Sequence, residues 1–144
     1  MNPLFNNTGI LSVNALSLPV TGATVATVQN TSSTAYTDLG TVGPAVTVTT
    51  GTSVFVVMCC GSTNTLSAGD TSFMSFSVSG ATTIAASDAN SAQCNGGGNE
   101  FGNCVFLGTL VTGLTPGSNT FTAKYRVDAS TWSFYYRHLT VFVL

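Results

Sequence analysis

The last third of the chain, residues 110–144 (LVTGLTPGSNTFTAKYRVDASTWSFYYRHLTVFVL), permits few folds. Phe121, Ala123, Tyr125 and Val127 alternate with Thr120, Thr122, Lys124 and Arg126. A period of two is the pattern of a strand buried on one face. Before it, Thr115-Pro116-Gly117 makes a turn, because proline fixes one φ and glycine is free to take a positive one. Residues 128–130 turn the chain again. The final run holds Trp132, Phe134, Tyr135, Tyr136, Leu139, Val141, Phe142, Val143 and Leu144, apolar on both faces. Such a strand should be covered twice, by its own core and by a partner subunit. Trp132, Phe134, Tyr136, His138 and Phe142, with Arg126 and Arg137, are therefore the candidate subunit-interface residues.

Upstream the signals are again β. Residues 23–29, 35–39, 45–49, 53–60, 72–79, 82–86 and 104–111 read as short strands separated by Gly and Pro turns, with 53–60 apolar throughout as a central strand would be. No sustained 3.6-residue period occurs. About eight short strands at this spacing predict an all-β, jelly-roll-like antiparallel sandwich over residues 23–144. Residues 87–103 (SDANSAQCNGGGNEFGN) are expected to be one long irregular loop. Their Gly96-Gly97-Gly98 lacks the lysine and the strand–loop–helix setting of a phosphate loop.

Charge is scarce. Charged residues are 6% of the chain, five acids and three bases, against about 25% in a typical soluble protein. Hydrophobic residues reach 44%, too many for a disordered chain. Solubility must then come from Thr, Ser, Asn and Gly, a surface suited to an assembly whose neighbours cover much of it. A neutral extracellular β-protein is the plainer alternative. Lys124, Arg126 and Arg137 are too few for phosphate-driven affinity, so no nucleic acid is expected as a partner. No apolar run approaches the roughly 20 residues of a membrane span, and the beginning of the sequence lacks the charged and apolar regions of a secretory signal.

Residues 1–22 stand apart. They carry no charge, and Leu4, Phe5, Ile10, Leu11, Val13, Leu16 and Leu18 are apolar without a steady period. Free in water they would be sticky. They read as an extended arm that orders on a neighbour, or as a first edge strand packed on its own domain.

Little chemistry is encoded. Cys59 and Cys60 are adjacent in a strand and point to opposite faces. Cys94 and Cys104 bracket the Gly-rich segment, where a bridge would contribute about 2–3 kcal/mol; pairing that involves Cys59 or Cys60 is the alternative. No zinc-type spacing is present, so no metal or cofactor is expected. His138 is the single histidine, and no Gly-x-Ser-x-Gly elbow accompanies it, so no catalytic residue is assigned. Arg126 and Arg137 can pair with Asp88 or Asp128 across strands or subunits, or remain solvated.

Several phrases also carry a resemblance. Thr112-Gly113-Leu114-Thr115-Pro116-Gly117-Ser118-Asn119-Thr120-Phe121-Thr122, Lys124-Tyr125-Arg126-Val127 and Arg137-His138-Leu139-Thr140-Val141 resemble a β-domain of tailed-bacteriophage virion proteins. Tyr36-Thr37-Asp38-Leu39, Gly43-Pro44-Ala45-Val46-Thr47-Val48-Thr49-Thr50-Gly51 and Val78-Ser79-Gly80-Ala81-Thr82-Thr83 fit the same pattern in order. The four cysteines and the Asn/Gly-rich segment depart from it. The resemblance implies a capsid decoration (cement) protein, a homotrimer that bridges major capsid protein subunits on the virion surface and is assembled in the host cytoplasm. The arm residues Leu4 to Leu18 would contact the capsid. A head- or tail-fibre tip binding a host glycan through Trp132, Tyr135 and Tyr136 is the alternative. Neither role is enzymatic.

Overall fold

The computed structural model describes residues 18–64, 68–97 and 103–144; the side chains of 68, 97, 103 and 104 lie outside this description. Two antiparallel sheets pack face to face. One is ordered β1-β9-β4-β7, where β1 is Val20–Val25, β4 Ser53–Thr63, β7 Asn103–Thr112 and β9 Trp132–Val143; β2 (Gln29–Thr31) also pairs with β9. The other is ordered β3-β8-β5-β6, where β3 is Ala45–Thr50, β5 Ala68–Gly80, β6 Ala92–Gly97 and β8 Gly117–Val127. The three expected strands of the last third are present as β7, β8 and β9.

Alternation builds the core as the sequence implies. Val54, Val56, Met58 and Cys60 from β4 face Met74, Phe76 and Val78 from β5 and Phe121, Ala123, Tyr125 and Val127 from β8, all buried. Each Val, Met and Phe side chain among them gains about 1.5–3 kcal/mol on leaving water. Phe76 and Phe121 meet with ring centroids 6.0 Å apart, and Tyr125 meets Phe134 edge-on at 5.0 Å.

Four local expectations are corrected. Residues 35–39 and 82–86 are not strands but loops that each touch the sheet through one bridge, Thr37 to Tyr125 and Ile84 to Val78. Residues 23–29 split between β1 and β2, and β1 begins at Val20, inside the segment read as an arm. The rest of that segment, residues 1–17, lies outside the described residues. The supposed long loop contains a 3-10 turn at Asp88–Asn90 and strand β6. Pairing decides β6: Cys94 and Asn95 sit opposite Ser72 and Thr71 of β5, and the Thr71 hydroxyl donates to Asn95 Oδ1 at 2.8 Å. A ready ladder overrides weak local propensity.

The fourth correction concerns β9. Its pairing with β4 slips between Cys59–His138 and Gly61–Tyr135, so Cys60 faces both Tyr136 and Arg137. That is a β-bulge, and Tyr136 takes φ +47° to form it. The slip changes which residues point inward. Trp132 and Phe134 are buried before it, Arg137, Leu139 and Val141 after it. The strand is therefore not apolar on two full faces; its inward side changes parity halfway. Gly61 makes room, since a Cβ there would lie 2.1 Å from Tyr135 Cε2.

Arg137 is consequently a core residue, 0% exposed. Its guanidinium donates to Gly43 O at 3.2 Å and Gln29 Oε1 at 3.0 Å, and lies 5.3 Å from the Tyr125 ring centroid. The Tyr125 hydroxyl donates to the same Gly43 carbonyl at 3.0 Å. Together they fasten the loop between β2 and β3 to both sheets. Burial also pushes the Tyr125 hydroxyl well above its ordinary pKa.

Replacing Arg137 by Ala leaves those acceptors without their donor and opens a void, so R137A should lose about 3–4 kcal/mol of stability. Urea unfolding checks this; a midpoint shift worth under about 1 kcal/mol at unchanged m would contradict it.

Candidate assembly surface

The two outer faces of the sandwich differ in charge. β8 turns Lys124 and Arg126 outward between its buried residues. Lys124 Nζ donates to Asp38 at 2.7 Å. Arg126 Nε donates to Asp88 Oδ1 at 2.8 Å, its NH2 to Asp88 Oδ2, and its guanidinium lies 3.6 Å from the Phe73 ring centroid. The Tyr36 hydroxyl donates to Asp88 as well, at 2.9 Å. Asp128 accepts from Thr71 N at 2.6 Å, and Asp70 accepts from the Ser130 hydroxyl. The loops on either side of residues 38 and 88 thus lie over the β3-β8-β5-β6 sheet and are pinned there by ion pairs. Arg126 holds the Asp88 carboxyl below its ordinary pKa, and partial burial pushes the Tyr36 hydroxyl up to about 12.

Among the described residues, the outer face of the β1-β9-β4-β7 sheet has nothing of the kind. Strand register lines its residues in rows. Val20 is opposite Phe142, Phe142 opposite Phe55, and Phe55 opposite Leu110. The next row is Gly22, Thr140, Val57 and Gly108, and the third is Thr24, His138, Cys59 and Phe106. None of these twelve residues is charged. Four are large and exposed: Phe106 66%, Leu110 57%, Val20 54% and Phe55 38%. A glycine in each edge strand keeps the middle row flat, and a Cβ at Gly108 would lie 2.9 Å from the Phe55 ring. Thr24 Oγ1 meets His138 Nδ1 at 2.8 Å, so the imidazole is tied into the row. A contiguous apolar face of this kind marks a contact surface more often than chance exposure does.

The expected interface residues divide. Phe142 and His138 lie in these rows, and Tyr136 is 63% exposed beside Tyr135, with the rings 5.7 Å apart. Arg126 belongs to the opposite, charged face. Trp132, Phe134 and Arg137 are buried within the chain's own sandwich and offer no surface to a partner, because the bulge turns them inward. The pairing of Arg126 with Asp88 is as the sequence suggested. Sequence reading missed Val20, Phe55, Phe106 and Leu110; their alternation with buried neighbours was legible, but which sheet remained uncovered was not. Cys60 and Cys94 are buried while Cys59 is half-exposed, and the Cys94 Sγ donates weakly to Asn95 O at 3.9 Å. The Cys104 side chain lies outside the described residues. Among the described residues, no His, Cys, Asp and Glu group could hold a metal.

No family model matches the sequence, and no curated protein matches it. Solved structures do. VP2 of infectious bursal disease virus, in a subviral particle, superposes with TM-score 0.64 at 11% identity over 88% of this chain and 33% of that one. Particles described as T=1 and derived from infectious bursal virus give 0.60 at 14% identity, with 88% and 32% covered. Eiger TNF from S. frugiperda gives 0.53 at 14% identity, with 88% and 93% covered. The chain spans about a third of the length of the viral chains it matches. At these identities the likeness establishes the fold alone, an antiparallel β-sandwich.

Asp88 supplies stability above its unfolded pKa near 3.8 that fades as pH falls through its lowered folded value. The stability gap between the wild-type chain and Asp88→Asn should therefore be present at neutral pH and shrink below pH 3.8; urea midpoints at the two pH values measure it, and a constant gap would refute it. Cys94 is a free thiol, so the expected Cys94–Cys104 bridge is not formed. Cys94 should alkylate in denaturant without reductant, and a failure to react there would contradict this.

Proposed function

We propose that the chain is a virion structural protein of a tailed bacteriophage, a cement protein that decorates the capsid and bridges major capsid subunits. The observation that carries this reading is the charge-free, apolar outer face of the β1-β9-β4-β7 sheet on a capsid-type sandwich. The role is mechanical rather than enzymatic. Four strands about 4.8 Å apart and five residues about 3.3 Å apart outline about 300 Å². Burying that area on both partners falls short of the roughly 1,200 Å² of a stable interface. A single contact is accordingly weak, and holding power comes from repetition over the shell, where each tethered copy raises the effective concentration of the next contact. The copies associate as trimers and sit on the outside of the capsid, assembled in the host cytoplasm.

A second reading, a fibre tip that binds a host glycan, has Tyr136 and Tyr135 in its favour. Trp132 cannot join them, and no cavity is formed by the described residues.

Purified empty heads distinguish the two. The wild-type chain should bind them, while Phe106→Asp and Leu110→Asp together should weaken binding at least tenfold, since each buries a charge without a partner. Full binding by the double variant, or binding to cells and not to heads, would overturn the cement reading.

A further inference from the structure

The sheet that carries the apolar face has an open edge. β7 is last in the order β1-β9-β4-β7 and runs ten residues, NCVFLGTLVT, without proline or charge. Its register on β4 is unbroken from Ser53–Thr112 to Ser62–Asn103. Among the described residues, no backbone hydrogen bond reaches β7 from any element but β4. Every second residue therefore presents an N–H and a C=O outward. Natural edge strands are blunted by shortness, charge, proline or bulges. The other edges comply: β1, β3 and β6 are six residues each, and the β5–β6 pairing is irregular between Ala68 and Thr71. β7 is neither short nor charged and has no proline or bulge; among the described residues its one side-chain bond to a loop is from the Thr109 hydroxyl to Asn90 Oδ1 at 3.4 Å.

The chain also contains a segment suited to that edge. Residues 4–18 have neither charge nor proline, and Leu11, Val13 and Ala15 alternate with Ser12 and Asn14. They lead into β1, the opposite edge of the same sheet. Pro19 O accepts from Val143 N at 2.9 Å, so the chain is already on the sheet at that point. Leu18 precedes proline, which biases it to extended backbone. Seventeen residues can reach about 55–60 Å.

We propose that residues 1–17 of one copy add as a strand to the β7 edge of a second copy. Donor and acceptor lie on opposite edges, so the contact is heterologous and closes into a ring only if the rotation between copies permits. The mechanism deepens the trimer of the cement reading and rests on that reading only for the number three. Backbone hydrogen bonds supply affinity as in strand addition generally. The apolar side chains of the donor then extend the apolar face past Phe106 and Leu110.

The test uses the purified chain without heads, so its failure and that of shell binding are separable. Native mass spectrometry at tens of micromolar should find an oligomer of the full chain and a monomer after deletion of residues 2–17. A synthetic peptide of residues 2–17 added to the truncated chain should slow hydrogen exchange at the amides of residues 105–111 by about tenfold or more. A monomeric full chain, whether or not its β7 amides are protected, would overturn the proposal. So would an oligomer that survives the deletion, or a peptide that leaves β7 exchange unchanged.

Discussion

Where the few charges go governs the whole molecule. Lys124 and Arg126 stand on the outer side of β8, Asp38 and Asp88 reach over to them from flanking loops, and Asp70 and Asp128 sit at one end of the same sheet. Ion pairs at the surface contribute little singly; here they add to backbone bonds that hold the same loops on this sheet, Thr37 with Tyr125 and Ile84 with Val78. Arg126 also lies on the Phe73 ring, so its stem and its charge act together. Both loops are held on that side, and among the described residues no loop lies over the other sheet. The apolar row from Val20 to Leu110 and the uncharged row from Thr24 to Phe106 lie on that other sheet.

A second constraint runs through β9. The bulge at Tyr136 costs roughly 1–2 kcal/mol in backbone strain for a residue other than glycine. What it achieves is a change of parity within one strand. Trp132 and Phe134 fill one end of the core, and Leu139 and Val141 fill the other. Between them Arg137 points inward, where carbonyl oxygens of the β2–β3 loop and the Tyr125 ring receive it. A buried guanidinium is tolerable because both terminal nitrogens find acceptors, although Nε has none among the described residues. The loop gains a fixed position in return, and with it the location of Asp38 and Tyr36 on the charged face.

Much of this was legible beforehand and some was not. The alternation of Phe121, Ala123, Tyr125 and Val127 gave β8 its inward face without ambiguity, because one register buries all four. The glycine-rich residues 92–97 read as loop, since a strand made of Ala, Gln, Cys, Asn and Gly has little propensity of its own; β5 supplies the partner that makes it one. Trp132 and Phe134 read as surface together with Tyr136 and His138 because in an unbroken strand these four share one face; Arg137, on the other parity, was grouped with them as a candidate for pairing across subunits. Only the steric demand of Tyr135 against Gly61 reveals the extra residue in that strand.

The sequence by itself determined that the chain is all β, that turns fall near Gly117 and Ser130, and that charge is too scarce to solvate both faces. Those properties are local or compositional, and no neighbour can change them. Tertiary structure alone decided which sheet the described loops leave uncovered, that no described strand but β4 pairs with β7, and that Arg137 lies inside. Each of these depends on residues far apart in the chain, Asp88 with Arg126, Gly61 with Tyr135, Gly43 with Arg137. Such pairings exist only once the strands have been placed in order.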